Sequence, residues 1–422
     1  MLKGPLLAAL GKGGSVLATY LFYLIAARAL GPTESGYFFL SFTLIMLLVT
    51  GSRAGLDVLL LKNTALSAAE NGNSRKIFFK YTAVSFSLSS LFALICYLFA
   101  EPIAISLFAK PQLFATLQAM SPATIFLSCL WLAGKYFQGL RMIFTSELFA
   151  TSSWSILLLI TIMGMGIKTS IELSNALTLA TGALLIFALR IIARSGSASS
   201  TTDKTTGDYQ ISLSSFGSLW LSTLFTQLLI WSSTLIAGAL LAPDEVATLN
   251  VAQRAAMITA FSLVVANAFL APRFATLYKQ SNLKGLIRLS DRSIKYSGAL
   301  SLIIFLLISM LPKQIMSLFG EGFTTSSGIL IILAFSQLIS VMCGSVQNIL
   351  TMTGNEKAVL KTTAIVAAFS IVLCLYMTQS FGLWGSAVAT AVSIIILNLT
   401  LTLQVWKKLG FFTFCFLKRD CH

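Results

Sequence analysis

Two short stretches decide the architecture of this chain: "LGPTESGYF" at residues 30–38 and "LAPDEVATL" at residues 241–249. In each stretch, a Pro turn with acidic residues interrupts a long apolar run. Pro32 and Pro243 are 211 positions apart. A turn of the same kind at two distant positions suggests that the chain repeats a structural unit.

A second pair of matching segments has the same offset. "ISLF" at residues 105–108 recurs as "MSLF" at residues 316–319, each in a loop after a third apolar run. Self-similarity at a fixed offset is the sequence signature of an internal duplication. We therefore predict two related halves of six spans each.

The composition predicts a polytopic membrane protein. Hydrophobic residues make up 56% of the 422 residues and charged residues 10%, whereas a soluble domain carries about 25% charged residues. About 20 apolar residues cross the hydrocarbon core as a helix, and runs of this length recur throughout the chain. We place twelve spans at 12–30, 37–61, 77–100, 113–133, 147–167, 175–193, 213–240, 247–271, 293–311, 324–350, 358–378 and 382–406.

The first span raises the alternative of a cleaved signal peptide, because lysines precede an apolar run. Its counterpart in the second half favours a retained helix. The connections between spans are too short to fold into a domain with its own core.

The distribution of basic residues predicts the orientation. Of the 29 Lys and Arg residues, 23 fall on one side of the twelve spans and four on the other, while Arg53 and Arg254 lie within spans. Cytoplasmic loops carry the excess of Lys and Arg, so both termini are predicted to be cytoplasmic. Because topology and anionic lipid account for the net charge of +15, nucleic acid binding is not expected.

Six spans return the chain to the side where it began, so the two halves are predicted to be parallel repeats. Transporters built this way place the substrate near the midplane between their halves. The predicted domains are an N-terminal six-helix lobe (1–193), a polar cytoplasmic linker (194–212), a C-terminal six-helix lobe (213–406) and a basic cytoplasmic tail (407–422). The predicted fold class is all-α, with about twelve transmembrane helices around a central cavity.

Four motifs resemble those of a known family: "ARALGPTESGYF" at 27–38, "SLFGEGF" at 317–323, "LTMTGNEK" at 350–357 and "FGLWGSAVA" at 381–389. They are similar to the polysaccharide flippases of the multidrug/oligosaccharidyl-lipid/polysaccharide exporter superfamily. The resemblance implies transport of an undecaprenyl-diphosphate-linked repeat unit, of O-antigen or capsule type, from the cytoplasmic to the periplasmic leaflet. It also implies the bacterial inner membrane, and other polysaccharide assembly proteins are possible partners.

A diphosphate cargo requires fixed positive charge, and cations inside a membrane are rare enough to be functional candidates. Arginine suits a diphosphate because its guanidinium donates two parallel hydrogen bonds. Arg53, Arg254 and Arg28 are the predicted ladder of cations. Asp57 leaves an alternative open, because a pair at i and i+4 would neutralise Arg53. Arg28 has a second interpretation as a side chain that reaches lipid headgroups.

Further polar residues complete the predicted site. Asn250 and Gln253 precede Arg254 at helical spacing and define one polar face with it. Lys12, among glycines of the first span, is either a cavity residue or an ordinary interfacial lysine. Asp57 is the one acid placed inside a span and hence the candidate for coupling to a proton or sodium gradient. No cofactor is expected.

Other functions are less compatible with these residues. The only histidine is residue 422 and the cysteines have no paired spacing, so a metal site is not expected. The sequence shows no acid pair and no nucleophile–base arrangement, so an enzyme is not expected either. A multidrug or cation antiporter on the same fold would favour acids in its cavity. A membrane polysaccharide polymerase or ligase would require a sizeable outer loop, and this chain has none.

Overall fold

The computed structural model describes residues 3–69, 72–194 and 213–413, and no strand occurs in these ranges. The helices of the first half are α1 Lys3–Arg53, α2 Leu56–Ala69, α3 Ser74–Leu98, α4 Leu113–Met120, α5 Ala123–Gly139, α6 Ile143–Glu147, α7 Ser153–Met165 and α8 Ser170–Arg194. Those of the second half are α9 Leu213–Leu240, α10 Pro243–Ala256, α11 Phe261–Lys279, α12 Leu283–Met310, α13 Gly328–Cys343, α14 Val346–Met352 and α15 Glu356–Leu409. Single helical turns link several of them.

Helix α1 folds back on itself at Gly31. A straight helix would separate Phe22 from Phe38 by roughly 24 Å, yet their ring centroids are 6.1 Å apart. Gly31 has φ 73°, a left-handed conformation that glycine adopts without the steric cost a Cβ would add. Pro32 then begins the returning segment with a residue that needs no backbone donor. The "LGP" turn of the sequence is therefore the corner of a helical hairpin.

Helix α15 contains a corner of the same kind at Gly382, where φ is 57°. The Cys374 Sγ and Ser386 Oγ atoms lie 3.9 Å apart, although twelve helical residues would span about 18 Å. The two arms approach so closely that a Cβ on Gly385 would collide with the carbonyl oxygen of Met377. A glycine is therefore required at this contact.

The described ranges carry the twelve predicted spans. Eight helices are long and apolar enough to cross a membrane, and α4 with α5 and α6 with α7 form two bent pairs that pass the same test. Two of the eight, α1 and α15, are hairpins of two segments each. These features together make twelve apolar segments, so the all-α polytopic fold class is confirmed.

Several predicted spans differ in detail from the observed helices. The second was predicted as continuous over 37–61, but α1 ends at Arg53 and α2 begins at Leu56. The eighth begins at Pro243, four residues before the predicted start, and a 3₁₀ turn interrupts it at Met257–Ala260. The tenth breaks at Gly344 between α13 and α14. The periodicity of an apolar run does not reveal such interruptions, because the flanking residues are equally apolar.

The described chain divides into two compact units, Gly14–Gln227 and Leu228–His422 together with Met1–Gly13. In the first unit, the aromatic rings of the α1 hairpin pack around Trp154. A second cluster there joins α2, α3 and α5 through Leu60, Phe78 and Phe137. In the other unit, Phe274, Ile349 and Val405 connect α11, α14 and α15. The predicted lobe boundaries stay predictions, since residues 195–212 and 414–422 lie outside the described ranges.

The local geometry of the two halves supports the predicted duplication. Ala109 and Gly320, which follow the matching "SLF" segments at the offset of 211, both have positive φ, 51° and 136°. Asn73 caps the N-terminus of α3 through a hydrogen bond from the Lys76 amide, and Asn282 caps α12 in the same way. Each half therefore has a residue with positive φ after its "SLF" segment and an Asn cap at the start of its third span.

Candidate functional site

The structure buries Arg53 at the C-terminal end of α1, with 5% of its surface exposed. Its Nε donates to the Val49 carbonyl at 3.2 Å and its Nη2 to the Thr50 hydroxyl at 3.0 Å. Its Nη1 donates to Asp57 Oδ2 at 3.3 Å. Three of the five guanidinium N–H donors are used, and the charge is compensated by a carboxylate. The alternative that Arg53 pairs with Asp57 is thus what the structure shows.

The two charges do not lie on one continuous helix, which corrects the reasoning from i, i+4 spacing. Ala54 and Gly55 have φ values of 51° and 77° and break the helix between them. Arg53 therefore ends α1, where the helix dipole favours a cation, and Asp57 lies in the first turn of α2, where the dipole favours an anion. The Asp57 carboxylate also accepts from the Val58 amide at 3.1 Å. The Arg53–Asp57 ion pair, called the clasp below, therefore joins α1 to α2 across the break.

An indole ring covers the Arg53 guanidinium. The Arg53 Cζ lies 4.4 Å from the Trp131 ring centroid, within the range of a cation–π interaction. The buried Nε1 of Trp131 has no hydrogen-bond partner. Burying an unpartnered N–H costs free energy. The Trp131 N–H is therefore a donor beside the Arg53 guanidinium that a bound acceptor would satisfy.

The other unit contains an equivalent pair. The Arg254 Cζ lies 5.1 Å from the ring centroid of Trp231 on α9, and its Nη1 contacts Met257 Sδ at 3.8 Å. Arg254 is half-buried. The buried Nε1 of Trp231 also has no partner. Each unit therefore places an arginine on an indole at a point where a membrane helix is interrupted.

The polar face predicted around Arg254 is only partly present. Gln253 Nε2 donates to Ser233 Oγ at 3.0 Å and so contacts α9 together with Arg254. Asn250 is 2% exposed, and its Nδ2 donates to the Val246 carbonyl of its own helix. The Asn250 side chain is thus used by its own helix, while Gln253 contacts the same helix, α9, as Arg254 does.

Arg28 and Lys12 both belong to α1. Arg28 is exposed and precedes the Gly31 corner by three residues, which agrees with a side chain at the end of a span. Lys12 is half-buried near the start of α1. The neighbouring Gly13 packs against Phe261 of α11: a Cβ at Gly13 would lie 3.7 Å from the Phe261 ring.

Arg53 and Arg254 lie at different distances along their helices. Arg53 follows Pro32 by 21 residues, roughly 32 Å at 1.5 Å per residue. Arg254 follows Pro243 by 11 residues, roughly 16 Å. The predicted eighth span began four residues later, at residue 247, and so placed Arg254 closer to the start of its helix. The two positions are therefore not related by the duplication.

Sequence reasoning named Asp57 as a partner of Arg53 but missed Thr50 and Trp131. Thr50 accepts from Arg53 and also from Gln227 Nε2 at 3.1 Å, and it donates to the Met46 carbonyl. Its hydroxyl is therefore saturated. Trp231 gave a partial signal, since it lies well inside a predicted span, away from the interfaces where membrane tryptophans concentrate, but nothing in the sequence paired either indole with an arginine.

Family comparison identifies the broad class of the protein. The family described as "Polysaccharide biosynthesis protein" matches residues 1–278, and the MatE family matches residues 219–376. The first match covers more than half of the chain. The chain belongs to the polysaccharide biosynthesis protein family. No curated protein sequence matches it significantly.

Solved transporters share the fold of this family member. The "Lipid II flippase MurJ, inward closed conformation" aligns with a TM-score of 0.75 and 15% identity, over 95% of this chain and 87% of that one. An inward-facing multidrug resistance MATE family transporter aligns with 0.71 and 15%, over 93% and 94%. A transporter of the MOP superfamily from Pyrococcus furiosus aligns with 0.69 and 14%, over 97% and 96%.

These comparisons confirm the predicted superfamily. The chain is a multi-pass membrane protein of the polysaccharide biosynthesis protein family, and its fold is that of MOP superfamily transporters, a lipid flippase among them. Since identities near 15% carry the fold alone, the cargo has to be argued from this chain's own residues.

Proposed function

We propose that the protein is a flippase for a lipid-linked oligosaccharide, with an undecaprenyl-diphosphate repeat unit of O-antigen or capsule type as its cargo. The observation that carries the proposal is the pair of intramembrane guanidinium groups, Arg53 and Arg254, each lying on an indole ring. A stacked guanidinium keeps its plane fixed and directs its N–H groups outward from its edge. That arrangement suits the paired oxygens of a diphosphate.

In this proposal the two arginines contact the diphosphate in successive states of alternating access, since they lie at different distances along their helices. The indole N–H groups of Trp131 and Trp231 add donors for a phosphate or sugar oxygen. Arg28 at the end of its span and Gln253 beside Arg254 belong to the same path. The remaining predicted residues are Lys12, half-buried near the start of α1, and Asn250, whose amide donates to a carbonyl of its own helix.

Asp57 is proposed to couple transport to a proton or sodium gradient. A diphosphate that reaches Arg53 competes with the Asp57 carboxylate for the same guanidinium. A carboxylate released inside the membrane is stabilised by binding a proton or a sodium ion. Exchange of partners at Arg53 would thus link cargo binding to cation binding. If Asp57→Asn keeps gradient-dependent transport, this coupling role is excluded.

The transport test uses protein reconstituted in vesicles that contain the polyprenyl-diphosphate glycan, with arrival in the opposite leaflet detected by a membrane-impermeant sugar label. Arg254→Ala is expected to lower the rate at least tenfold, and Arg254→Lys to restore it in part, because lysine keeps the charge but loses the fork. Arg190→Ala, at an exposed arginine of α8, is the matched control. Full activity in both Arg254 variants would remove this residue from the mechanism.

Deletion in the native host tests the cargo. Loss of surface polysaccharide with completed repeat units trapped on the cytoplasmic leaflet is the result expected of a flippase. Accumulation of unpolymerised units on the outer leaflet would contradict the proposal and favour a polymerase.

A multidrug antiporter is the second candidate. The MatE match over residues 219–376 and the likeness to a multidrug resistance transporter favour it. The two candidates differ in the charge they require, since cationic drugs are bound by acids, whereas Arg254 repels them and the charge of Arg53 is balanced by Asp57. Transport of a cationic dye by the same vesicles, unaffected by Arg254→Ala, would establish the antiporter in place of the flippase.

A further inference from the structure

A cavity of about 400 Å³ opens beside the turn between α11 and α12. Three arginines line it: Arg273 from α11, and Arg288 and Arg292 from α12. The two helices pack as a hairpin whose turn is closed by Ser281, at φ 56°, and by the Asn282 side chain that caps α12. Because the helices run in opposite directions, an arginine near the end of one lies beside arginines near the start of the next.

Among the residues that the structure describes, no acidic side chain pairs with the arginines of this cavity. Within the described ranges, the side chains of its three arginines form no ion pair or hydrogen bond. Asp291, the acid nearest in sequence, is exposed on α12 and does not line the cavity. Like charges at i and i+4, as in Arg288 and Arg292, repel each other on a helix. Concentrated, unpaired guanidinium groups around a concave space are suited to a phosphate.

The surface of α12 beyond the cavity indicates what carries that phosphate. Arg292 is followed at helical spacing by an exposed apolar stripe on the same face, consisting of Tyr296, Ile303, Leu307 and Met310 with exposed fractions of 73%, 56%, 53% and 76%. These residues belong to a helix that is long and apolar enough to span the membrane. An acyl chain lying along the stripe therefore ends at the arginines. A free phosphate has no apolar group that could contact the stripe.

We propose that this cavity binds the phosphate headgroup of an anionic phospholipid, held as a resident lipid with its acyl chains along α12. Basic pockets beside membrane helices bind headgroups of this kind, and the volume suits a headgroup carrying one or two phosphates. The proposal does not depend on the cargo of the transporter. The basic residues of this segment belong to the side of the chain predicted to be cytoplasmic, so the lipid is taken from that leaflet.

The test compares two triple variants from the same stretch of chain. In Arg273→Gln/Arg288→Gln/Arg292→Gln the cavity loses its three charges. In Lys279→Gln/Lys284→Gln/Lys295→Gln the chain loses the same net charge at exposed residues that do not line the cavity. Phosphatidylglycerol is titrated into each purified, detergent-solubilised protein, and bound lipid is counted by native mass spectrometry, with phosphatidylcholine as the neutral reference.

The arginine variant is expected to bind phosphatidylglycerol at least tenfold more weakly than wild type, because each basic residue near a surface adds to the attraction. The lysine variant is expected to stay within about twofold. Equal losses in both variants, or no loss in either, would overturn the proposal. If the triple arginine variant does not fold, Arg292→Gln and Lys295→Gln provide the same comparison, with about a fivefold loss expected only in the former.

Competition distinguishes the sources of the phosphate. Inorganic phosphate at the same concentration as the lipid is expected to leave the bound phospholipid in place. If inorganic phosphate displaces the phospholipid, the cavity is a general anion site and the resident-lipid proposal is wrong. A polyprenyl diphosphate is likewise expected not to displace the phospholipid. Displacement by this compound would assign the cavity to the cargo and overturn the resident-lipid proposal, while the transport test on Arg254 would be unaffected.

Discussion

Substitution of Asp57 tests the buried clasp between α1 and α2. Asp57→Asn removes the carboxylate that lies 3.3 Å from Arg53 Nη1 and leaves a guanidinium that is 5% exposed without its counter-charge. Removing one partner of a buried ion pair costs about 3–5 kcal/mol. Because Arg53 keeps its bonds to Thr50 and Val49 and its indole contact, we expect a loss at the lower end, about 3 kcal/mol.

The measurement is a double-mutant cycle on unfolding in mixed detergent and SDS micelles, followed by helical circular dichroism. Asp57→Asn and Arg53→Gln are each expected to destabilise the protein, and the double variant is expected to lose about 3 kcal/mol less than their sum, because it leaves no lone buried charge. Glu101→Gln, at an exposed acid, is expected to leave the transition unchanged. Additivity of the two substitutions within about 0.5 kcal/mol would refute the buried pair.

Three further predictions concern the backbone. Gly31→Ala is expected to lower the apparent melting temperature, because an alanine at this positive φ adds a strain of about 1–2 kcal/mol. The control Gly14→Ala, at a helical glycine with open space around it, is expected to preserve or raise the melting temperature. Equal shifts in the two variants would contradict the hairpin corner. Gly385→Ala forces a methyl group onto the Met377 carbonyl oxygen, so fluorescence-detected size-exclusion chromatography is expected to show loss of monodisperse protein. Asn73→Ala removes an N-cap and is expected to cost about 1 kcal/mol, measured as a reduced SDS midpoint; an unchanged midpoint would exclude the cap.

The number and placement of the spans could be predicted from the sequence because the bilayer imposes a simple rule. About 20 apolar residues must form a helix, and lipid leaves no alternative way to satisfy the backbone. The rule also predicted the corner at Pro32. It could not predict the breaks after Arg53 and at Gly344, because a helix may be interrupted wherever neighbouring helices satisfy the freed backbone groups.

The site residues show the same limit. An arginine in an apolar run is costly, so Arg53 and Arg254 were recognisable as unusual without any structure. Their indole partners were not, since Trp131 is 78 residues from Arg53 in sequence and only packing brings them together. Asn250 has the helical spacing of a site residue, but its side-chain amide donates to the Val246 carbonyl of its own helix. Asn side chains often bond nearby backbone groups in this way, and helical spacing does not reveal when they do.

The chain's order of apolar and basic residues alone determined a twelve-span helical membrane protein with a predicted sidedness, because hydrophobic length and loop charge act locally along the sequence. The tertiary structure decided where the helices break, that Arg53 is clasped by Asp57, and that three arginines of one helical hairpin surround a cavity. These features depend on which residues approach one another across helices. Packing and the cost of burying charge determine that approach, and neither can be read from a one-dimensional pattern.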